Sequence, residues 1–171
     1  MKQWNCIKWI GIVFVLVAGT LSHFLYEWSG QNYFAGLISP VNESVWEHMK
    51  LIFFPMLAFT LILLCRYRKT YPCAVCALLT GILTGTLLIP VLFYAYTFVV
   101  GKDLFFMDIA IFIFSTLIGF LISSKIMKSC HSKPKCILPC ILVLLLLLCF
   151  IFFTYAPPDM ALFSDPAVLP G

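Results

Sequence analysis

Five times along this chain the sequence runs for about 20 residues with almost no charge, the length needed to cross a hydrocarbon core roughly 30 Å thick. The stretches are 7–28, 45–65, 73–99, 104–124 and 137–155. Between them they take up most of the 171 residues, so the loops are short and no separate soluble domain fits. Composition agrees, with 63% hydrophobic and 11% charged residues against roughly 45–50% and roughly 25% in soluble domains. The expected fold is an all-α polytopic membrane protein, a bundle of about five transmembrane helices. Residues 1–155 form the membrane domain and 156–171 a Pro-rich extracytoplasmic tail. A signal peptide is the rival reading of the first stretch, because Lys2 and Lys8 precede it and Ala18, Gly19 and Thr20 follow. The apolar run continues through Leu21, Phe24, Leu25 and Tyr26, longer than a typical signal core, which favours a helix.

Basic residues set the orientation. Lys2, Lys8, Arg66, Arg68, Lys69, Lys125, Lys128, Lys133 and Lys135 are nine of the eleven Lys and Arg, and all fall on one side of the spans. Lys50 and Lys102 fall on the other. The positive-inside rule then places the N-terminus in the cytoplasm and the C-terminus outside, in a multi-pass topology. The net charge of +4 is thus a topology signal, and no aromatic-interleaved basic motif suggests nucleic acid. Cys6, Cys65, Cys73, Cys76, Cys130, Cys136 and Cys140 lie at the inner ends, with Cys149 in mid-span. A reducing cytoplasm predicts free thiols there. Cys73-x-x-Cys76 with Cys130, His131 and Cys136 also has ligand types that zinc accepts.

The acidic residues Glu27, Glu43, Glu47, Asp103, Asp108, Asp159 and Asp165 all fall at outer ends. Depth separates them. At 1.5 Å per residue, His23 lies about 21 Å and Glu27 about 27 Å above Trp9, Glu47 and His48 about 26 Å above Cys65, and Asp108 about 24 Å above Ser124. These five residues share a stratum roughly 3 to 9 Å below the outer boundary. Ionisable groups at such depth are costly facing lipid, so they normally face a bundle interior or a water-filled cavity and mark a site. His23 and Glu27, Glu43 and Glu47, and Ser44 and His48 are each i,i+4 pairs on one helix face.

Ser39-Pro40-Val41-Asn42-Glu43-Ser44-Val45-Trp46-Glu47-His48 is the sharpest local string. Part of it starts a helix: Ser39-Pro40 has the form of an N-cap followed by proline, and Ser44-x-x-Glu47 that of a capping box. Capping leaves Asn42, Glu43 and His48 unexplained. With His23-x-x-x-Glu27, Phe93-Tyr94-x-Tyr96, Asp108-Ile109, Pro157-Pro158 and Leu162-Phe163-x-Asp165-Pro166, the string resembles a family of small bacterial multi-helix membrane proteins of unknown function. The family's tail ends in a more polar, tyrosine-containing stretch, and here it ends Ala167-Val168-Leu169-Pro170-Gly171. The resemblance implies a bacterial plasma membrane and no particular activity.

Other features read structurally. Gly81-x-x-x-Gly85 offers a small-residue face for close helix packing, Pro55 and Pro90 are expected to kink their helices, and the leucines at 144–148 face lipid. Tyr94, Tyr96 and Tyr155 suit an interfacial belt, with substrate lining the alternative for the first two. No phosphate loop, nucleophile elbow or H-E-x-x-H occurs.

The candidate ligand-binding residues are therefore His23, Glu27, Asn42, Glu43, Glu47, His48, Tyr94 and Asp108. Three readings compete. The cluster is a polar clamp between helices, within a homo-oligomer or larger membrane complex; or it is a pocket for a small ligand or ion. Alternatively it is a metal-dependent hydrolase, with zinc or another divalent ion on His23, His48 and Glu47 or Asp108, and Glu27 or Glu43 as base.

Overall fold

The structure is a computed structural model and describes residues 2–67, 71, 73–129 and 136–165. Among these residues it is all-helical, with no strand: α1 (Lys2–Trp28), α2 (Tyr33–Ile38), α3 (Val45–Tyr67), α4 (Ala74–Val100), α5 (Phe105–Ser129), α6 (Ile137–Phe153) and a 3-10 turn at Ala161–Phe163. Four of these, α1, α3, α4 and α5, are long and apolar enough to cross a membrane. The fifth expected span is shorter. α6 has 17 residues, a rise of about 25 Å, and gives way at Thr154 to a turn.

α1 is continuous through Ala18, Gly19 and Thr20, the small residues of the signal-peptide alternative. It buries Trp4, Ile7, Ile12 and Val15, yet on its other face Trp9, Ile10 and Val13 are each more than half exposed. A helix apolar on every face belongs in a core or in lipid. α6 repeats the pattern, with Leu144, Leu145 and Leu148 also more than half exposed.

Two local expectations are corrected. Sequence reading put no element between the first two spans, where α2 forms because Asn32 Oδ1 caps it, accepting from the Phe34 and Ala35 amides. Gly30 and Gln31, both at positive φ, turn the chain out of α1 to reach it. Ser39-Pro40 ends α2 instead of opening α3: Ser39 is extended, at φ −127° and ψ 159°, the conformation a following proline imposes. The N-cap of α3 is Ser44, whose Oγ accepts from the Glu47 amide at 3.3 Å.

α3 is the central helix, packed against α1 and α4, and α4 packs most extensively against α5. Met49, Ile52, Phe53 and Met56 of α3, Leu78 and Ile82 of α4, Phe120 of α5 and Phe150 of α6 form the heart of the core. Pro55 and Pro90 lie within continuous helices. Having no N–H, Pro55 leaves the Leu51 carbonyl without its helical partner. That carbonyl faces Gly19 of α1, where an added Cβ would lie 2.5 Å away. The Gly81 and Gly85 face meets Gly119 of α5 as expected of a small-residue seam.

At one end of the bundle Trp4 Nε1 of α1 donates to Ser124 Oγ of α5 at 3.1 Å. The cysteines gather there, and the expectation of free thiols fails for three of them. Cys76 and Cys136 are joined in a disulfide, Cα to Cα 5.1 Å, and Cys73 is disulfide-bonded as well. The fold brings the start of α4 beside the residue before α6, a pairing that spacing along the chain does not reveal. These sulfurs are therefore not available as zinc ligands in this state. Cys6, Cys65, Cys140 and Cys149 are free. Cys130 and His131 lie outside the described residues.

Candidate functional site

The polar residues collect at the opposite end, in three neighbouring groups. The first is built on the segment between α2 and α3. Asn42 Oδ1 accepts from the Ser44 amide at 3.0 Å, a side-chain turn that brings the chain into the Ser44 cap. Glu43 stands just before that cap and His48 one turn into α3. His23, near the end of α1, approaches from the side. The Glu43 carboxylate lies 3.4 Å from His48 Nε2 and 3.9 Å from His23 Nε2. The imidazole centroids are 5.5 Å apart, and one ligand atom from each of the three residues falls within 4.8 Å of the others.

Protonation follows from the partners. His48 Nδ1 is 2.9 Å from the Ser44 carbonyl; a carbonyl only accepts, so Nδ1 carries the proton and Nε2 is turned to Glu43. With Nε2 also protonated the ring is a cation paired with Glu43. With Nε2 bare it is a metal ligand whose other nitrogen is held by a backbone carbonyl, as ligating histidines usually are. The hydrogen bond from His48 holds the Glu43 carboxyl below its usual range, and the charges of His48 and His23 add to this against partial burial. His23 Nδ1 is buried with no hydrogen-bond partner among the described residues.

The second group is an ion pair inside the protein. Lys50 and Glu47 are 0% and 2% exposed, with Nζ to Oε2 2.7 Å. Lys50 also donates to the Gly36 carbonyl at 2.9 Å and Thr154 Oγ1 at 2.8 Å, and stands 3.4 Å from the Ser39 carbonyl. Three short acceptors match its three N–H donors. Glu47 Oε2 in addition accepts from the Val41 amide at 2.9 Å. The pair thereby joins α2, the segment carrying Glu43, α3 and the end of α6.

The third group lies across the α4–α5 turn. The Tyr96 hydroxyl is 2.6 Å from Asp103 Oδ1 and 2.9 Å from Asp108 Oδ1, and accepts from the Leu104 amide at 3.2 Å. One hydroxyl proton cannot serve two carboxylates unless it is shared or one of them is protonated. Asp108 lies within electrostatic range of His48, which connects this group to the first.

The structure thus brings His23, Glu43 and His48 together with Asp108 near, and turns Glu47 to Lys50. Glu27 is exposed and makes no side-chain hydrogen bond or ion pair among the described residues. Asn42 is exposed and shapes the turn. Tyr94 is 40% exposed, and it is Tyr96, two residues on, whose hydroxyl meets the carboxylates. Sequence reasoning missed Lys50, counted only as a basic residue on the outer side, although Glu47 three residues before it was the signal.

A family model matches residues 1–168, and its description is "Family of unknown function (DUF6512)". Neither a curated protein nor a solved structure matches the chain.

Proposed function

Because the chain belongs to this family, whose function is unknown, we propose from its geometry that it is a membrane-spanning protein binding a divalent transition-metal ion at His23, Glu43 and His48. One observation carries the reading: three ligand-type atoms from three residues lie within 4.8 Å of one another, with the His48 tautomer already set for ligation by the Ser44 carbonyl. Two imidazoles and a carboxylate are ligands that zinc accepts, and three protein ligands leave a position for water.

Four long apolar helices whose outer faces are themselves apolar support the membrane reading. The distribution of basic residues supports a cytoplasmic N-terminus with the metal site at the outer end, and the resemblance to small bacterial membrane proteins supports a bacterial plasma membrane. A hydrolase is the second reading. It is favoured by the open ligand position, with Asp108, whose charge is felt at His48, as the carboxylate that would act on a bound water.

Elemental analysis and zinc titration of the purified protein test the proposal. The expected result is one equivalent of metal per chain, lost in His23→Ala and His48→Ala and weakened about 10- to 100-fold, the range typical of disturbed metal sites, in Glu43→Gln. Folded protein that neither carries nor takes up zinc, cobalt or manganese would overturn it. Hydrolysis of an ester or amide substrate that stops on chelation separates the second reading from simple binding.

A further inference from the structure

Beside the Tyr96 group an apolar groove runs down the α4–α5 seam. Leu92, Tyr96 and Val99 line one wall and Met107, Ile111 and Phe114 the other; Tyr96 is the only lining residue with a polar side-chain group, and its hydroxyl meets Asp103 and Asp108, which are not themselves lining residues. The groove opens sideways, with Val99 81% and Phe114 50% exposed at its lips. From residue 107 to residue 117 it extends about 15 Å at 1.5 Å per residue. That is half of a hydrocarbon core roughly 30 Å thick, the depth of one leaflet.

Its polar end is short of hydrogen-bond donors. Asp103 and Asp108 have one hydroxyl between them, and no Lys or Arg among the described residues lies within ion-pair distance of either. Lys102, in the same turn, is exposed and makes no ion pair among the described residues. A primary ammonium group has three N–H donors and a positive charge, which is what two carboxylates and one hydroxyl leave unmet.

We propose that the α4–α5 groove binds a cationic amphiphile, its single alkyl chain along the seam and its amine head between Asp103, Asp108 and Tyr96. The inference rests on the membrane-spanning reading and not on the metal. Occupancy would bring the head's charge toward the His48 site, since Asp108 lies within electrostatic range of His48.

The test uses the full chain in phosphatidylcholine nanodiscs, stripped of metal by a chelator and photolabelled with dodecylamine carrying a diazirine on its chain. Adducts are located by peptide mass spectrometry. Labelling is expected within residues 92–100 and 107–117, suppressed severalfold by excess dodecylamine and not by dodecanol or dodecanoate. The double variant Asp103→Asn, Asp108→Asn should weaken competition by the amine about tenfold, the size of a lost charge-assisted hydrogen bond. Ala110→Trp, which fills the groove and leaves the carboxylates in place, should abolish labelling. Equal competition by the alcohol or the carboxylate would mean ordinary annular lipid and would overturn the inference, as would labelling that survives Ala110→Trp. Protein that stays in the soluble fraction without detergent would overturn the membrane reading itself.

Discussion

Glu47 and Lys50 stand one helical turn apart on α3, 2% and 0% exposed. A buried pair of this kind adds little over an apolar replacement of both residues, but losing one partner leaves an uncompensated charge and costs about 3–5 kcal/mol. Lys50→Met should therefore lower the melting temperature by on the order of 10 °C for a chain of this size. Adding Glu47→Leu should recover most of the loss, and a double variant no more stable than the single one would refute the account. Glu43 behaves differently because it is exposed. Its carboxyl is held below the ordinary range by the His48 hydrogen bond, so its contribution is fully present above the unfolded value of about 4.3 and disappears as pH falls through the lower folded value. Melting curves between pH 6 and pH 3, numbers chosen to bracket that value of about 4.3, should fall less steeply in Glu43→Gln than in the native chain. Parallel curves would show that the contact contributes nothing. Neighbouring residues 47 and 48 also show what a depth count misses. Successive helical residues point about 100° apart, so Glu47 and His48 share a level and not a direction.

At the level of elements, hydropathy and length placed the long helices well, since crossing length is a property of local sequence. α2 was not legible because six residues cannot display a periodicity, although Asn32 was a capping signal immediately before it. The cysteine pairing was not legible because it depends on which helix ends become neighbours. The α4–α5 seam was legible as Gly81-x-x-x-Gly85, and the two glycines differ in how closely they are approached. A Cβ on Gly81 would run into Ser123 Oγ and the Gly119 carbonyl, whereas on Gly85 the nearest atom, the Ser115 carbonyl oxygen, is 3.1 Å away. Overpacking typically costs about 1–3 kcal/mol, and exchanging a helical glycine for alanine returns up to about 1 kcal/mol. Gly81→Ala should thus be clearly destabilising in thermal unfolding and Gly85→Ala close to neutral. The reverse order would mean that the seam is not packed as described.

For the whole molecule the two ends carry opposite arguments about orientation. By sequence position nine of eleven basic residues fall on the side of the spans that carries Cys76 and Cys136, which the positive-inside rule places in the cytoplasm. That same end holds the Cys76–Cys136 disulfide, and cytosolic disulfides, where they occur, are mostly transient, catalytic or redox-sensing. The proposed orientation follows the basic residues, because their bias acts on insertion itself, whereas a disulfide can form or open after the chain is in place. Cys6, Cys65 and Cys140 at the cysteine end are free and exposed, so a membrane-impermeant maleimide reports the orientation directly. In intact cells these thiols should stay unlabelled until the membrane is permeabilised, and a cysteine placed by Glu43→Cys should label at once. The opposite pattern would put the His23, Glu43 and His48 group on the cytoplasmic side. It would also make the disulfide an ordinary structural bond in an oxidising space, and a metal bound at the other end would then be drawn from the cytoplasmic pool.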